Sequence, residues 1–152
     1  MHKRIVAVLI GLSGVLTPVS VLPAHATTAA APAVQVTFVY YDSPGRDDRS
    51  NRSLNAEYVQ LTNTSLRAVA LKSWTLRDTS RHVYVFGSYT LAAGATVTVH
   101  TGVGNDTATH RYQDRHAYVW NNDKDTAILR DAAGHGVDSC RWTRPGTGKI
   151  RC

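Results

Sequence analysis

The stretch "EYVQLTNTS", residues 57–65, decides the fold, because polar and apolar side chains alternate along it and then give way to turn-forming residues. Val59 and Leu61 share one face, and the residues between them share the other. A period of two is typical of a β-strand with one buried face. Asn63 favours a turn, since its side chain bonds to nearby backbone. The stretch therefore predicts a half-buried strand that ends at Asn63.

The same signals recur along the rest of the chain. Further strands are predicted wherever alternation or a β-branched run is bounded by turn-forming residues. They are residues 34–41, 69–76, 82–87, 96–100, 117–120, 126–131 and 137–142. The segment "LAAGA", residues 91–95, predicts a tight turn in which Gly94 takes a positive φ. No apolar stripe of helical period follows residue 26, so the pattern indicates an all-β sandwich or barrel.

The apolar faces of these strands predict one core between two sheets. Trp74 lies within its predicted strand and is expected to be the main anchor between the sheets, with its indole N–H bonded to a backbone carbonyl. The predicted core residues are Val59, Leu61, Trp74, Leu76, Val97, Val99, Trp120 and Trp142.

The first residues have the pattern of a secretory signal peptide, predicted over residues 1–26. A basic start precedes an apolar run, and Ala24 and Ala26 occupy the two positions that a signal peptidase reads. A retained membrane anchor is the alternative, but prolines and glycines within the run favour cleavage, which would leave no stable membrane span. Residues 27–33 predict a flexible leader. The expected location is secreted, extracellular or associated with the cell surface.

Length, charge and cysteine content indicate the number of domains, the class of partner and the redox environment of the exported chain. The full sequence of 152 residues leaves one domain after the signal. Its formal charge of +6 falls to +4 without Lys3 and Arg4 of the signal, which is far from the dense basic stripe of a dedicated nucleic-acid binder. Cys140 and Cys152 are the two cysteines, and export predicts that they form a disulfide. That bond would tie the tail, residues 143–152, back to the strand that carries Cys140.

A charged segment precedes the strand described first. Asp42, Asp47 and Asp48 offer oxygen ligands for calcium, but their spacing matches no calcium-binding loop and neighbouring arginines would repel a cation. They are therefore weak candidates, and the sequence predicts no metal and no cofactor. The segment is expected to be a charged, mobile link between the first two strands.

Glu57 shares a face with Val59 and Leu61, which places a carboxyl group at the start of a buried row. A buried carboxyl group needs partners, because an unpaired buried charge is costly. We expect Glu57 to accept hydrogen bonds from backbone amides or from an arginine, and to pin the charged segment.

The long polar connection over residues 101–116 leads into a basic and aromatic strip, residues 111–120. Arg111, Tyr112, Arg115 and His116 form a candidate partner surface, since rings stack on bases or sugars and arginine binds phosphate. The alternative is that the rings belong to the core or its rim and that the arginines are solvated. No G-x-S-x-G motif marks a nucleophile after residue 26, so no enzyme is expected.

Four segments in this order resemble a known family: "EYVQLTNTS", "LKSWTLRD", "HVYVFGSYTLAAGATVTVHTGVG" and "VWNNDKDTAILRDAAGHGVDSCRW". Together they resemble the lamin-tail domain, in the form of a secreted bacterial single-domain member, over residues 34–142. The resemblance implies an immunoglobulin-like β-sandwich without catalytic machinery. It also implies a binding or scaffolding role, since contacts with DNA and proteins are ascribed to this domain in the nuclear lamins.

The expected function is therefore a secreted, non-enzymatic binding or scaffolding module, predicted to be monomeric, with an unidentified protein, glycan or nucleic acid as partner. Three alternatives remain open. One is a small secreted hydrolase or nuclease, and another is a nucleic-acid-binding module that uses the strip of residues 111–120. The third is a surface protein that self-associates through an exposed sheet edge.

Overall fold

A computed structural model describes residues 31–143 and 146–152. The predicted signal peptide and most of the predicted leader lie outside the described residues. In chain order the elements are β1 (Val34–Tyr40), α1 (Asn51–Ala56), β2 (Tyr58–Asn63), β3 (Val69–Ala70), β4 (Thr75–Arg77), β5 (Val83–Val85), β6 (Thr90–Leu91), β7 (Thr96–His100), β8 (His110–Tyr112), β9 (Asp125–Arg130), β10 (Gly136–Trp142) and β11 (Lys149–Arg151).

Two sheets build the domain. A five-stranded sheet has the order β11-β1-β2-β7-β8, a four-stranded sheet has the order β10-β9-β4-β5, and β3 pairs with β6 in a short ribbon. The described strand pairs are antiparallel except for β7 and β8, which are parallel. The predicted all-β, immunoglobulin-like sandwich is confirmed.

The core lies between the sheets and follows the alternation of each strand. Val59 and Leu61 on β2 and Val97 and Val99 on β7 are fully buried, as the sequence pattern predicts. Leu76, Trp120 and Trp142 are also buried. On β9, Leu129 lies inside the core, so the neighbouring Ile128 is directed away from it.

Trp74 is not the anchor between the sheets, and the predicted strand over residues 69–76 is wrong. The chain forms β3, turns, and continues as β4 in a different sheet, because Ser73 takes a φ of 65° that no strand accommodates. Trp74 precedes β4 and is only partly buried against the core. Deeper inside, Trp120 and Trp142 meet edge to face, with their ring centroids 6.2 Å apart. It is Trp142 that donates its indole N–H to a carbonyl, that of Asn121, at 2.7 Å.

The predicted strand over residues 117–120 is also wrong. The amide groups of Val119 and Trp120 donate to the carboxylate of Glu57 instead of to a neighbouring strand. Three observed strands are missing from the prediction: β6, β11 and β8. Of these, β8 arises inside the long polar connection. Its partner is β7 in parallel register, with Arg111 opposite Val99.

The charged link is partly helical, so the prediction of a mobile link is wrong for residues 51–56. Ser50 caps α1, and its hydroxyl group accepts a hydrogen bond from the amide of Ser53 at 3.2 Å. Leu54 is buried and holds the helix against the domain. Six residues are too few to show a helical apolar stripe, which is why periodicity misses this element.

Cys140 and Cys152 form a disulfide, with their Cα atoms 5.5 Å apart. The tail thereby returns to the sandwich, and β11 pairs with β1 through the register of Val39 with Ile150. Within residues 31–143 and 146–152, no helix is long and apolar enough to cross a membrane.

Candidate binding face

Glu57 forms a buried junction beneath one end of the five-stranded sheet, with only 1% of its surface exposed. Its Oε1 atom accepts hydrogen bonds from the Thr101 hydroxyl at 2.7 Å, the Val119 amide at 2.9 Å and the Trp120 amide at 3.4 Å. Its own amide donates to the Leu54 carbonyl and ends α1. One residue therefore joins three elements: its backbone amide contacts α1, and its side chain joins the end of β7 to the irregular segment before β9.

The hypothesis that Glu57 accepts from amides agrees with these contacts, but no arginine takes part among the described residues. The segments it holds are those around Thr101 and Trp120, rather than the charged segment at residues 42–49. The Oε2 atom is buried and has no hydrogen-bond partner in the described part of the chain. Burial of this uncompensated oxygen raises the pKa of Glu57 to about 7, although the three donors to Oε1 favour the ionised form.

This pKa predicts that the protein is more stable in mild acid than at neutral pH. The ordinary pKa of this group is 4.5 and the folded value is about 7, so the folded state binds more protons between these two pH values. Stability from this group is therefore present below pH 4.5 and is lost as the pH rises through 7. Thermal unfolding followed by circular dichroism should show this decline in the native protein and a flatter profile in Glu57→Gln. Equal slopes in the two proteins would contradict the assignment.

The outer surface of the five-stranded sheet carries two rows of side chains that cross all five strands. The ring row is Lys149, Tyr40, Tyr58, His100 and Tyr112, and the second row is Arg151, Phe38, Gln60, Thr98 and His110. In each row every residue is the direct cross-strand partner of the next. We call the two rows together the outer face.

The rings of the outer face form one continuous layer. Ring centroids are 5.6 Å apart for Tyr40 and Tyr58, 5.7 Å for Tyr58 and His100, and 5.0 Å for His100 and Tyr112. Phe38 extends the layer into the second row, stacked on Tyr58 at 5.9 Å. These rings are partly exposed, so they present aromatic surface to solvent rather than filling the core.

The permanent charge of the outer face is positive and lies at one end of it. Lys149 and Arg151 are exposed and carry permanent positive charge at the β11 end, and neither row contains an Asp or Glu residue. Burial lowers the pKa of His100, and the nearby His110 lowers it further, so His100 is neutral at physiological pH. The fixed charge of the face is therefore two cations beside an aromatic layer.

Helix α1 orders the far end of the ring row. The ring of His100 donates through Nδ1 to the Asn55 carbonyl at 2.7 Å, which leaves Nε2 to accept from His110 at 2.9 Å when His100 is neutral. Asn51 and Asn55 both donate to the Val103 carbonyl at 2.9 Å.

The loop that contains Val103 and Gly104 packs against Tyr112, the last ring of the row. A methyl group at Gly104 would overlap the ring of Tyr112, so only glycine permits this approach. The far end of the outer face is thus built on an element that the sequence pattern did not reveal.

The predicted partner surface at residues 111–116 is divided between two faces. Tyr112 belongs to the outer face, and His116 is exposed. Arg111 is directed to the other side, where its guanidinium lies 4.0 Å from the centroid of the Tyr89 ring and bonds to Asp106 at 2.8 Å. Arg115 donates to the Val83 carbonyl at 3.0 Å. Trp120 is in the core, so the strip of residues 111–120 is not one binding surface.

The weak calcium candidates do not converge. Asp42 accepts a hydrogen bond from the Asn122 amide group at 3.0 Å, and Asp48 accepts one from the Ser50 amide at 2.9 Å. Asp47 is exposed. Within residues 31–143 and 146–152, no three His, Cys, Asp or Glu side chains are grouped to hold a metal ion.

Comparison with known families accounts for this architecture. The model of the Lamin Tail Domain family matches residues 27–144, which is most of the chain. The chain belongs to the lamin tail domain family. The match covers β1 to β10, so it includes all strands of the outer face except β11. A comparison with curated proteins found no match.

Lamin tail domains are non-enzymatic, immunoglobulin-like modules, and the family points to binding or scaffolding. Within this lamin tail domain, β11 lies beyond the matched residues and supplies both permanent cations of the outer face. Sequence reasoning missed Tyr40, Tyr58, His100, Lys149 and Arg151 as a set, because their cross-strand register is not visible in one chain segment. The available signal was Tyr58, an aromatic residue on the polar side of the strand that contains Val59 and Leu61. Tyr40 is in phase with the buried Val34 and Val36 in the sequence, and the register shift between Val36 and Phe38 brings it to the outer face.

Proposed function

We propose that this lamin tail domain is a secreted, non-enzymatic binding module, and that its partner binds at the outer face. The observation that carries the proposal is the pair of rows in register across all five strands, with partly exposed rings and no carboxylate. A sheet surface that only covers a core needs no such layer, since polar side chains usually face water there. The export pattern in residues 1–26 supports a partner outside the cell.

The enzymatic alternative gains no support from the titratable groups. The carboxyl group with the raised pKa, Glu57, accepts hydrogen bonds from backbone amides in a buried junction, and only 1% of its surface is exposed. A nucleic-acid site that uses residues 111–120 as one surface is not favoured, because Arg111 and Tyr112 lie on opposite faces.

Replacement of a central ring should weaken partner binding by about tenfold, because aromatic residues in the middle of an interface dominate its energy. Tyr58→Thr removes the ring and keeps a residue suited to a strand. The measurement is co-sedimentation of the purified domain with cell envelopes of the producing organism, titrated to obtain an apparent Kd.

The matched control is Leu66→Ser, because Leu66 is 97% exposed and lies outside the outer face. Non-specific hydrophobic adhesion would decrease in Leu66→Ser and persist in Tyr58→Thr. That pattern, or equal binding by all three proteins, would reject the outer face as the partner site. Thermal unfolding of each variant verifies that the sandwich is intact.

A further inference from the structure

We propose that the outer face binds an extended acidic polysaccharide, a chain of pyranose rings that bear carboxylate groups. The inference rests on the proposed function and names the chemical class of the partner. It follows from three properties of the two rows: the shape of the ring layer, the position of the cations and the free hydroxyl groups.

The ring layer has the dimensions of a track for linked sugars. Five strands give four spacings of about 4.8 Å, so the row from Lys149 to Tyr112 spans about 19 Å. The rings of Tyr40, Tyr58 and His100 follow one another without a gap along it. Aromatic side chains combine an apolar ring with a polar edge. This suits a pyranose, which has apolar C–H faces and polar groups around its rim.

The two cations are placed for carboxylates at one end of this track. Lys149 and Arg151 alternate along β11 and therefore lie on the same side of the strand. Arg151 offers a fork that binds a carboxylate through two parallel hydrogen bonds. Lys149 lies over the ring of Tyr40, with Nζ 5.7 Å from its centroid, so charge and ring can contact one sugar unit together.

The charge count favours a polysaccharide over a nucleic acid. A nucleic acid has a phosphate on every nucleotide, and its affinity depends on how many phosphates the protein neutralises. Here both permanent cations lie on one edge strand, and the other four strands contribute no lysine or arginine to the face. Two charges suffice for one or two carboxylates, while the remainder of the track requires stacking and hydrogen bonds.

The phenol groups of the ring row suit the hydroxyl groups of a sugar chain. The phenol groups of Tyr89 and Tyr118 are occupied, by the Ala108 carbonyl at 2.6 Å and the Ser53 hydroxyl at 2.7 Å respectively. In the described residues, the phenol groups of the three tyrosines in the ring row have no such partner. They are therefore available to donate to and accept from the hydroxyl groups of a sugar chain.

The test uses two uronic-acid polymers, polygalacturonate and alginate, with fully methyl-esterified polygalacturonate as the uncharged counterpart and a thymidine oligonucleotide as the competing polyanion. Affinity electrophoresis and calorimetry should show binding to at least one uronic-acid polymer and at least tenfold weaker binding to the ester. Lys149→Gln with Arg151→Gln should raise the Kd about tenfold, since it removes the charge-assisted contacts.

The matched control is Lys72→Gln with Arg141→Gln, which removes the same charge at two exposed positions away from the outer face. Equal effects of the two double variants would overturn the proposal, as would tighter binding of the oligonucleotide than of either polymer. If neither uronic-acid polymer binds but envelope binding still depends on Tyr58, the polysaccharide is the wrong partner and the outer face remains the binding site. If envelope binding does not depend on Tyr58, both proposals fail.

Discussion

Glu57→Ala should lower the free energy of unfolding by about 3 to 5 kcal/mol, because each buried donor left without a partner costs about 1 to 3 kcal/mol. The variant removes the acceptor of the Val119 and Trp120 amides and of the Thr101 hydroxyl. None of these groups is exposed enough to turn to water, since all three residues are buried. Urea unfolding near pH 4, below the ordinary pKa of 4.5, measures the loss with little contribution from ionisation, because the carboxyl group is then mainly protonated in both the folded and the unfolded state.

Two variants separate this junction from a general effect of losing a carboxyl group. Glu57→Gln keeps an oxygen in the position of Oε1 and should lose less than half as much stability near pH 4. Asp47→Ala removes an exposed carboxylate from the neighbouring segment and should change stability by less than about 0.5 kcal/mol. A loss below about 1 kcal/mol in Glu57→Ala would show that the junction does not need its acceptor.

Asn63→Leu is the second change with a large expected effect, a loss of about 3 kcal/mol. Asn63 is fully buried at the end of β2. Its amide group donates to the carbonyls of Arg67 at 2.7 Å, Leu91 at 3.0 Å and Ala92 at 3.1 Å. Its Oδ1 atom accepts from the amide of Ser65 at 3.0 Å. One side chain thus attaches the sheet to the loop before β3 and to the turn after β6.

Asn105→Leu is the control, since Asn105 is exposed in a polar loop and the side-chain change is the same. For a domain of this size a loss of about 3 kcal/mol should lower Tm by about 10 °C, while the control should stay within about 2 °C. Similar Tm values for the two variants would mean that the three carbonyls find other donors when Asn63 is replaced.

The sandwich was predictable from this sequence because its central strands are regular. Val59 and Leu61 alternate with half-buried residues on the opposite side of β2, so period and burial agree there. Val97 and Val99 follow the same period on β7, although Thr98 between them is also buried. Prediction failed where hydrogen bonds between distant residues override local preference. Residues 117–120 are β-prone, but two of their amides bond to Glu57, and that contact is fixed only when β2 is in place.

The candidate site was less predictable than the fold. Tyr112 was found because it lies in a segment visibly rich in charge and rings. Tyr40 and Tyr58 carry the same chemistry, but they are 18 positions apart in the chain and meet only through strand register. Lys149 lies in a tail that composition assigns to no element. Register and edge-strand pairing depend on the whole sheet, so a single segment does not encode them.

The disulfide makes the arrangement of the outer face depend on the redox state of its surroundings. Because Cys152 follows Arg151 directly, the covalent bond to Cys140 fixes both cations beside the rings. A reducing medium would free that short edge strand, separate charge from aromatic surface and leave β1 open to pair with a strand of another molecule. The proposed anion binding and the protection of the β1 edge are thus coupled to one redox equilibrium, since both depend on the oxidised pair of cysteines.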